Sequence, residues 1–263
     1  MEEKIKNLLL SWDEYNQKRF SVPYVYSIKN MNQELLCVGS RHCYDPKDNE
    51  FEIIKKEWDD FYKRNQGKEM IVVVEGGVTS IEKSEEEAIV KGGEMSFVTF
   101  LANESGVSTI CLEPQRGKIF NEIAKKHGRD KTFYQRMAQV MLQWNTYTEK
   151  PELEKYLEYF MEKDKKESQW SDFDFSIDNM KRIHQGFFNT DFNPRDRKFF
   201  YDIIDPSQKK TVINQISRDE NVVRDTAIVK GIIEEWQKGK SVFAIHGSGH
   251  AVIQEKSLRT LLI

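Results

Sequence analysis

The chain has 263 residues, 40 of them basic and 43 acidic, for a net charge of -3 at neutral pH. A chain of this length can bury a hydrophobic core without disulfides or a structural metal, and a charge this balanced, with no long block of one sign, excludes the electrostatic footprint of a nucleic-acid-binding protein. The three cysteines, Cys37, Cys43 and Cys111, are odd in number, lack Cys-x-x-Cys spacing and lie in or beside apolar runs, which fits reduced, buried thiols.

Residues 1–20 are charged and amphipathic, with Leu8-Leu9-Leu10 as their longest apolar run, and no stretch of the chain has the length of a bilayer span. The expectation is therefore a soluble, cytoplasmic protein with no membrane partner. Spacing predicts a helix over 2–19 and a hairpin from Tyr24-Val25-Tyr26-Ser27-Ile28 and Leu35-Leu36-Cys37-Val38, joined by the turn-like Lys29-Asn30-Met31-Asn32. A helix over 50–65 precedes the buried strand Ile71-Val72-Val73-Val74. Helical segments over 84–104, broken near Gly92-Gly93, then lead to a strand over 107–112. Strands alternating with helices predict an α/β fold, a mixed, mostly parallel central sheet with helices on both faces.

After Gly117 the pattern changes. Helices are predicted around 118–127, 131–147 and 151–166, followed by an irregular, aromatic-rich stretch from Trp170 to Tyr201. The expectation is a single α/β domain over 1–263 carrying a helical insertion at about 118–210 that forms a lid or wall. The α/β pattern resumes with a helix over about 218–238, the strand Ser241-Val242-Phe243-Ala244-Ile245 and a last helix over about 251–262. Ser217 with Glu220 reads as a capping box that starts the first of these helices, and Gly239 suits its left-handed stop. On a helical wheel Arg218 falls on the side of Val222, Val229, Ile232, Ile233 and Trp236, whereas Arg224 points away.

The functional signal lies at the strand ends. Gly39-Ser40-Arg41-His42 and Gly247-Ser248-Gly249-His250 each place a histidine three residues after a glycine, directly beyond a strand, and a third strand runs into Glu75-Gly76-Gly77. In an open α/β sheet ligands collect beyond the carboxyl ends of the strands, so these groups can converge. Two imidazoles and a carboxylate form a candidate catalytic or metal-binding set. Glu113 ends the next strand and reaches the same crevice or makes an ordinary salt bridge; His246 is a ligand, a neighbour of one, or, in the preferred reading, a hydrogen-bonded core histidine. His127 reads as a helix C-cap feature, His184 as a surface residue and Cys43 as packing. Gly92-Gly93-Glu94 is read as an opening for a second, anion-friendly helix N-terminus.

Gly39-x-x-His42, the strand-end Glu75-Gly76-Gly77, Arg218-Asp219-x-x-Val222-Val223 and Gly247-x-x-His250, in that order, resemble the superfamily of Tiki proteases, TraB-like proteins, ChaN-like proteins and erythromycin esterases. The resemblance covers about residues 24–115 and 211–262; Val222-Val223 stand where the superfamily has Met-Ala, and Arg224-Asp225 offers a second copy of the Arg-Asp pair, which makes Arg224 the alternate functional arginine to Arg218, preferred for its helical phase. It implies hydrolysis of an ester or amide bond in a small-molecule or peptide substrate, with His42, Glu75, Arg218 and His250 as catalytic residues and Glu113, Arg224 and His246 near the substrate. Two routes are open. His42, Glu75 and His250 could hold a divalent metal, manganese or zinc, that activates water; or one histidine acts as base on water, Glu75 fixes its tautomer and Arg218 polarises the carbonyl. The resemblance also carries two other outcomes: a haem- or iron-binding protein of the ChaN type, its imidazoles serving as axial ligands, and a catalytically degenerate, regulatory or toxin-like member.

Overall fold

The computed structural model describes residues 1–263. Its sheet has five strands, β1 (Tyr24–Lys29), β2 (Glu34–Ser40), β3 (Met70–Val74), β4 (Ser108–Cys111) and β5 (Ser241–Gly247), in the order β1-β2-β5-β3-β4. Only β1 runs antiparallel, to its hairpin partner β2; the β2-β5, β5-β3 and β3-β4 pairs are parallel. The predicted α/β class, with a mixed and mostly parallel sheet, is the observed one. Strand β5, last in the chain, lies between β2 and β3, so the ends that deliver His42, Glu75 and the final Gly-x-x-His are neighbours.

Alternation along the strands builds two cores. Leu35, Cys37, Ile71, Val73, Val242 and Ala244 face one side. There they meet α1 (Glu2–Leu8), the distal part of α10 (Val212–Gln237) and α11 (Ser248–Leu261). Leu36, Val38, Val72, Val74, Phe243 and Ile245 face the other side, where α3 (Asn49–Arg64) and α4 (Glu85–Glu104) bring Phe51, Ile54, Trp58, Phe97, Val98 and Leu101. Two apolar faces explain why β2 and β5 are buried along their whole length and read as continuous apolar runs. The predicted N-terminal helix is interrupted at Leu9-Leu10-Ser11, where Ser11 and Glu14 form a capping box that starts the short α2 (Trp12–Gln17). No helix is long and apolar enough to cross a membrane.

The chain divides into two compact units, one of residues 1–113 with 224–263 and one of residues 114–223. The second has a core of its own, built by α5 (Arg116–His127), α6 (Arg129–Thr146), α7 (Leu153–Ser168), α8 (Ile177–Phe188), α9 (Arg197–Ile204) and the start of α10. The stretch from Trp170 to Tyr201, expected to be irregular, therefore contains one whole helix and part of another. His184, expected at the surface, is buried there, its Nδ1 2.7 Å from the Tyr134 hydroxyl.

Helix α10 begins at Val212, six residues earlier than its predicted start at Arg218. Thr211 caps it through a bond from the Asn214 N–H to its hydroxyl, and Asn214 Oδ1 accepts from the Thr211 N–H in return. Ser217 and Glu220 lie inside the helix and are engaged from elsewhere: Glu220 takes Arg116, Gln135 and Gln139, and Gln135 also reaches the Ser217 hydroxyl. The Ser-x-x-Glu pattern here is a buried polar network, not a capping box.

Candidate active site

At the carboxyl end of the sheet, Glu75 directly follows β3 and is the hub of the site. Its Oε1 accepts from Arg224 Nη2 at 2.7 Å and its Oε2 accepts from the Gly247 N–H at 2.6 Å. His250 Nε2 lies 3.5 Å from Oε1 and His42 Nε2 3.9 Å from Oε2. Arg224 Nη2 also donates to Glu113 Oε1 at 2.7 Å, so one guanidinium bridges two carboxylates. Burial alone would raise the Glu75 carboxyl, but His250, Arg224, His42 and the Gly247 amide outweigh it and hold the group far below the usual carboxylate range. Glu75 stays ionised.

His250 is held from the other side. Its Nδ1 is 2.7 Å from Asp225 Oδ1, which also accepts from Gln254 Nε2 at 2.6 Å, and Asp225 itself is 1% exposed. Burial would depress this imidazole, yet the charges of Asp225 and Glu75 prevail and raise its pKa, favouring the imidazolium. His42 is different: its side chain is 51% exposed and its backbone is in the left-handed region at φ 63°. For a residue with a Cβ that conformation is strained, and such strain collects at functional sites.

The two glycines of the Gly-x-x-His motifs are fixed by close approach. A Cβ at Gly39 would stand 2.8 Å from Ala251 Cβ and 2.9 Å from Ser248 Cα, so only glycine lets the start of α11 pack on β2. A Cβ at Gly247 would stand 2.5 Å from His42 Nε2, so only glycine lets the imidazole lie over the strand end. The result is a cleft of about 470 Å³ lined by Trp12, Ser40, Arg41, His42 and the turn from Gly247 to His250. The first turn of α11 has no side-chain cap, and its amides carry the positive end of the helix dipole.

The structure thus brings together His42, Glu75, Glu113, Arg224 and His250. Arg218 belongs to the other compact unit. Arg218 donates to the carbonyls of Pro206 and Ser207, both in the insertion unit, and the arginine at Glu75 is Arg224, which the helical wheel had turned away. Asp225, next to it, is a site residue that sequence reasoning missed; the repeated Arg-Asp pair was the signal that could have found it. His246 is fully buried, but it is not the hydrogen-bonded core histidine expected: neither ring nitrogen has a hydrogen-bond partner, and burial pushes its pKa down to about 4.

The fit of a divalent metal can be tested on the donors. Zinc needs its ligands at about 2.0–2.2 Å, whereas both oxygens of Glu75 already accept short bonds from Arg224 and Gly247. Nowhere do three His, Cys, Asp or Glu side chains take positions from which they could hold an ion. A guanidinium already occupies Oε1 of Glu75, so His42, Glu75 and His250 as arranged do not fit the expected manganese or zinc.

No protein-family model, curated protein or solved structure matches the chain.

Proposed function

We propose that this protein hydrolyses an ester or amide bond and belongs with the Tiki, TraB and erythromycin-esterase type of α/β protein. The observation that carries the reading is the paired environment of the two imidazoles. His250 lies between Asp225 and Glu75, which bias it toward the charged form, while the half-exposed His42 faces the same Glu75 from the open side of the cleft. Two titratable groups placed in contrasting surroundings supply an acid and a base. His42 takes the proton from a water molecule as that water attacks the carbonyl. His250, protonated, stabilises the oxyanion through Nε2–H and then passes the proton to the leaving oxygen or nitrogen. Arg224 offsets part of the negative charge of Glu75 and Glu113, which lessens the repulsion that an oxyanion would meet.

The chemistry needs no metal in this form: Glu75 is held ionised by Arg224 and acts through the imidazoles it faces. The test is a panel of alkyl and aryl esters and short peptides, assayed with the wild type and with His42→Ala and His250→Ala. Turnover that each substitution lowers by about a thousandfold without loss of the folded state supports the reading; wild-type rates in either variant, or an axial-ligand haem spectrum dependent on the same histidines, overturn it.

A further inference from the structure

The loop that carries His42 is gripped on both sides by buried carboxylates from two successive helices. Glu50, in the first turn of α3 and 1% exposed, accepts the Arg41 N–H at 3.0 Å through Oε1, and its Oε2 takes Arg41 Nε at 3.0 Å. Glu94, also 1% exposed, accepts the Cys43 N–H at 2.7 Å. The main-chain donors on either side of His42 therefore end on carboxylates, and His42 between them is the residue in the left-handed region.

Helix α4 is deformed where it meets this loop. Gly93 departs from helical geometry at φ 58° and ψ -147°, and a Cβ there would stand 2.7 Å from the Cys43 carbonyl oxygen. The Gly92-Gly93 break lies against the loop that carries His42. It lets the Cys43 backbone approach the helix closely enough for Glu94 to reach its amide. Burying two carboxylates is costly, and a surface loop does not require it; an imposed backbone conformation at a working side chain does.

We infer that Glu50 and Glu94 are positioning residues, a bracket of two carboxylates that holds the backbone of His42 in its left-handed conformation and so aims the imidazole at Glu75 and the cleft. The part of this inference that concerns turnover rests on the hydrolase reading; the bracket itself does not.

The two are separated by measuring both amide exchange and catalysis in the full chain. In Glu94→Met, which keeps the side-chain volume and loses the acceptor, exchange of the Cys43 amide is expected to accelerate at least tenfold. Glu94→Gln, which still offers an oxygen, should keep it protected. Glu94→Asp, which keeps the charge and shortens the reach, is expected to behave like Glu94→Met and serves if the latter does not fold. With an ester found to be a substrate, Glu94→Met should lower kcat about tenfold with KM little changed. Its effect in a His42→Ala background should be under twofold, because the bracket acts through that ring. Unchanged Cys43 exchange in both the Met and Asp variants overturns the bracket. Losses that multiply with His42→Ala overturn its action on His42. A wild type that turns over no ester or amide defeats the hydrolase reading, and the exchange result still decides the bracket.

Discussion

Asp225 Oδ1 lies 2.7 Å from His250 Nδ1, tying the first turn of α11 to α10 and fixing which imidazole nitrogen faces the cleft. A carboxylate in this position selects the tautomer and stabilises the imidazolium, and an amide does neither. Asp225→Asn is therefore expected to lower kcat by roughly a hundredfold or more with a small change in KM. Gln254 also donates to Asp225, so a His250 resonance that keeps its wild-type titration in Asp225→Asn would argue against this contact as the cause.

The two arginines of the repeated Arg-Asp pair should behave oppositely. Arg224→Gln leaves Glu75 and Glu113 without their shared cation, and breaking a largely buried pair in this way costs about 3–5 kcal/mol. Turnover should fall below detection while the melting temperature drops. Arg218→Gln removes bonds to two carbonyls in the insertion unit and should leave kcat within about twofold. Steady-state kinetics on the two variants check this; the reverse pattern would return the role to Arg218.

Acid stability should carry the mark of His246. Its pKa falls from 6.5 to about 4 on folding, so the unfolded chain binds the extra proton between those values and stability declines as pH falls through that window. The contribution is roughly 3 kcal/mol. His250, whose pKa is raised, adds stability that is complete below 6.5 and is lost as pH rises through its folded value, so it gives no slope in the same window. Glu75, held low, loses its contribution only below its unfolded value of 4.5. His246→Leu should flatten the decline between pH 6.5 and 4 and raise stability at pH 7 by about 1–3 kcal/mol, since two orphaned ring nitrogens are removed from the core. Denaturant unfolding at several pH values measures both effects.

Much of this fold was legible because burial on two faces writes itself plainly into sequence: β2, β3 and β5, and the His42, Glu75 and His250 they deliver, stand at strand ends marked by apolar runs. Helix α10 was not, for a physical reason. Its first half, with Ile213, Ile216 and Val223, serves the core of the insertion, and its second half, with Ile228, Val229, Ile232 and Ile233, serves the sheet. One wheel drawn through both averages two apolar directions, and so it turned Arg218 inward and Arg224 outward. Ser217 and Glu220 misled in the same region because their partners, Gln135, Gln139 and Arg116, come from far along the chain. The orphaned nitrogens of His246 have no signature in sequence at all.

Hydrolysis should be independent of added metal. With Glu75 already bonded by Arg224 and Gly247, protein treated with chelator and exchanged into metal-free buffer is expected to retain its kcat, and added zinc or manganese should change it less than twofold. Activity lost to chelator and restored by one ion at stoichiometric amounts would mean that Glu75 exchanges its guanidinium for a metal.

The role of Glu75 as the hub of both imidazoles is decided by comparing Glu75→Gln with the wild type under single-turnover conditions on the best ester found. The introduced amide can still accept a bond from Arg224 or Gly247 but lacks the charge that both imidazoles face. Hydrolysis at least a hundredfold slower is expected in a protein that still folds, together with a downward shift of the His250 pKa read from its ring resonance. Hydrolysis at the wild-type rate with an unmoved His250 titration would contradict that role.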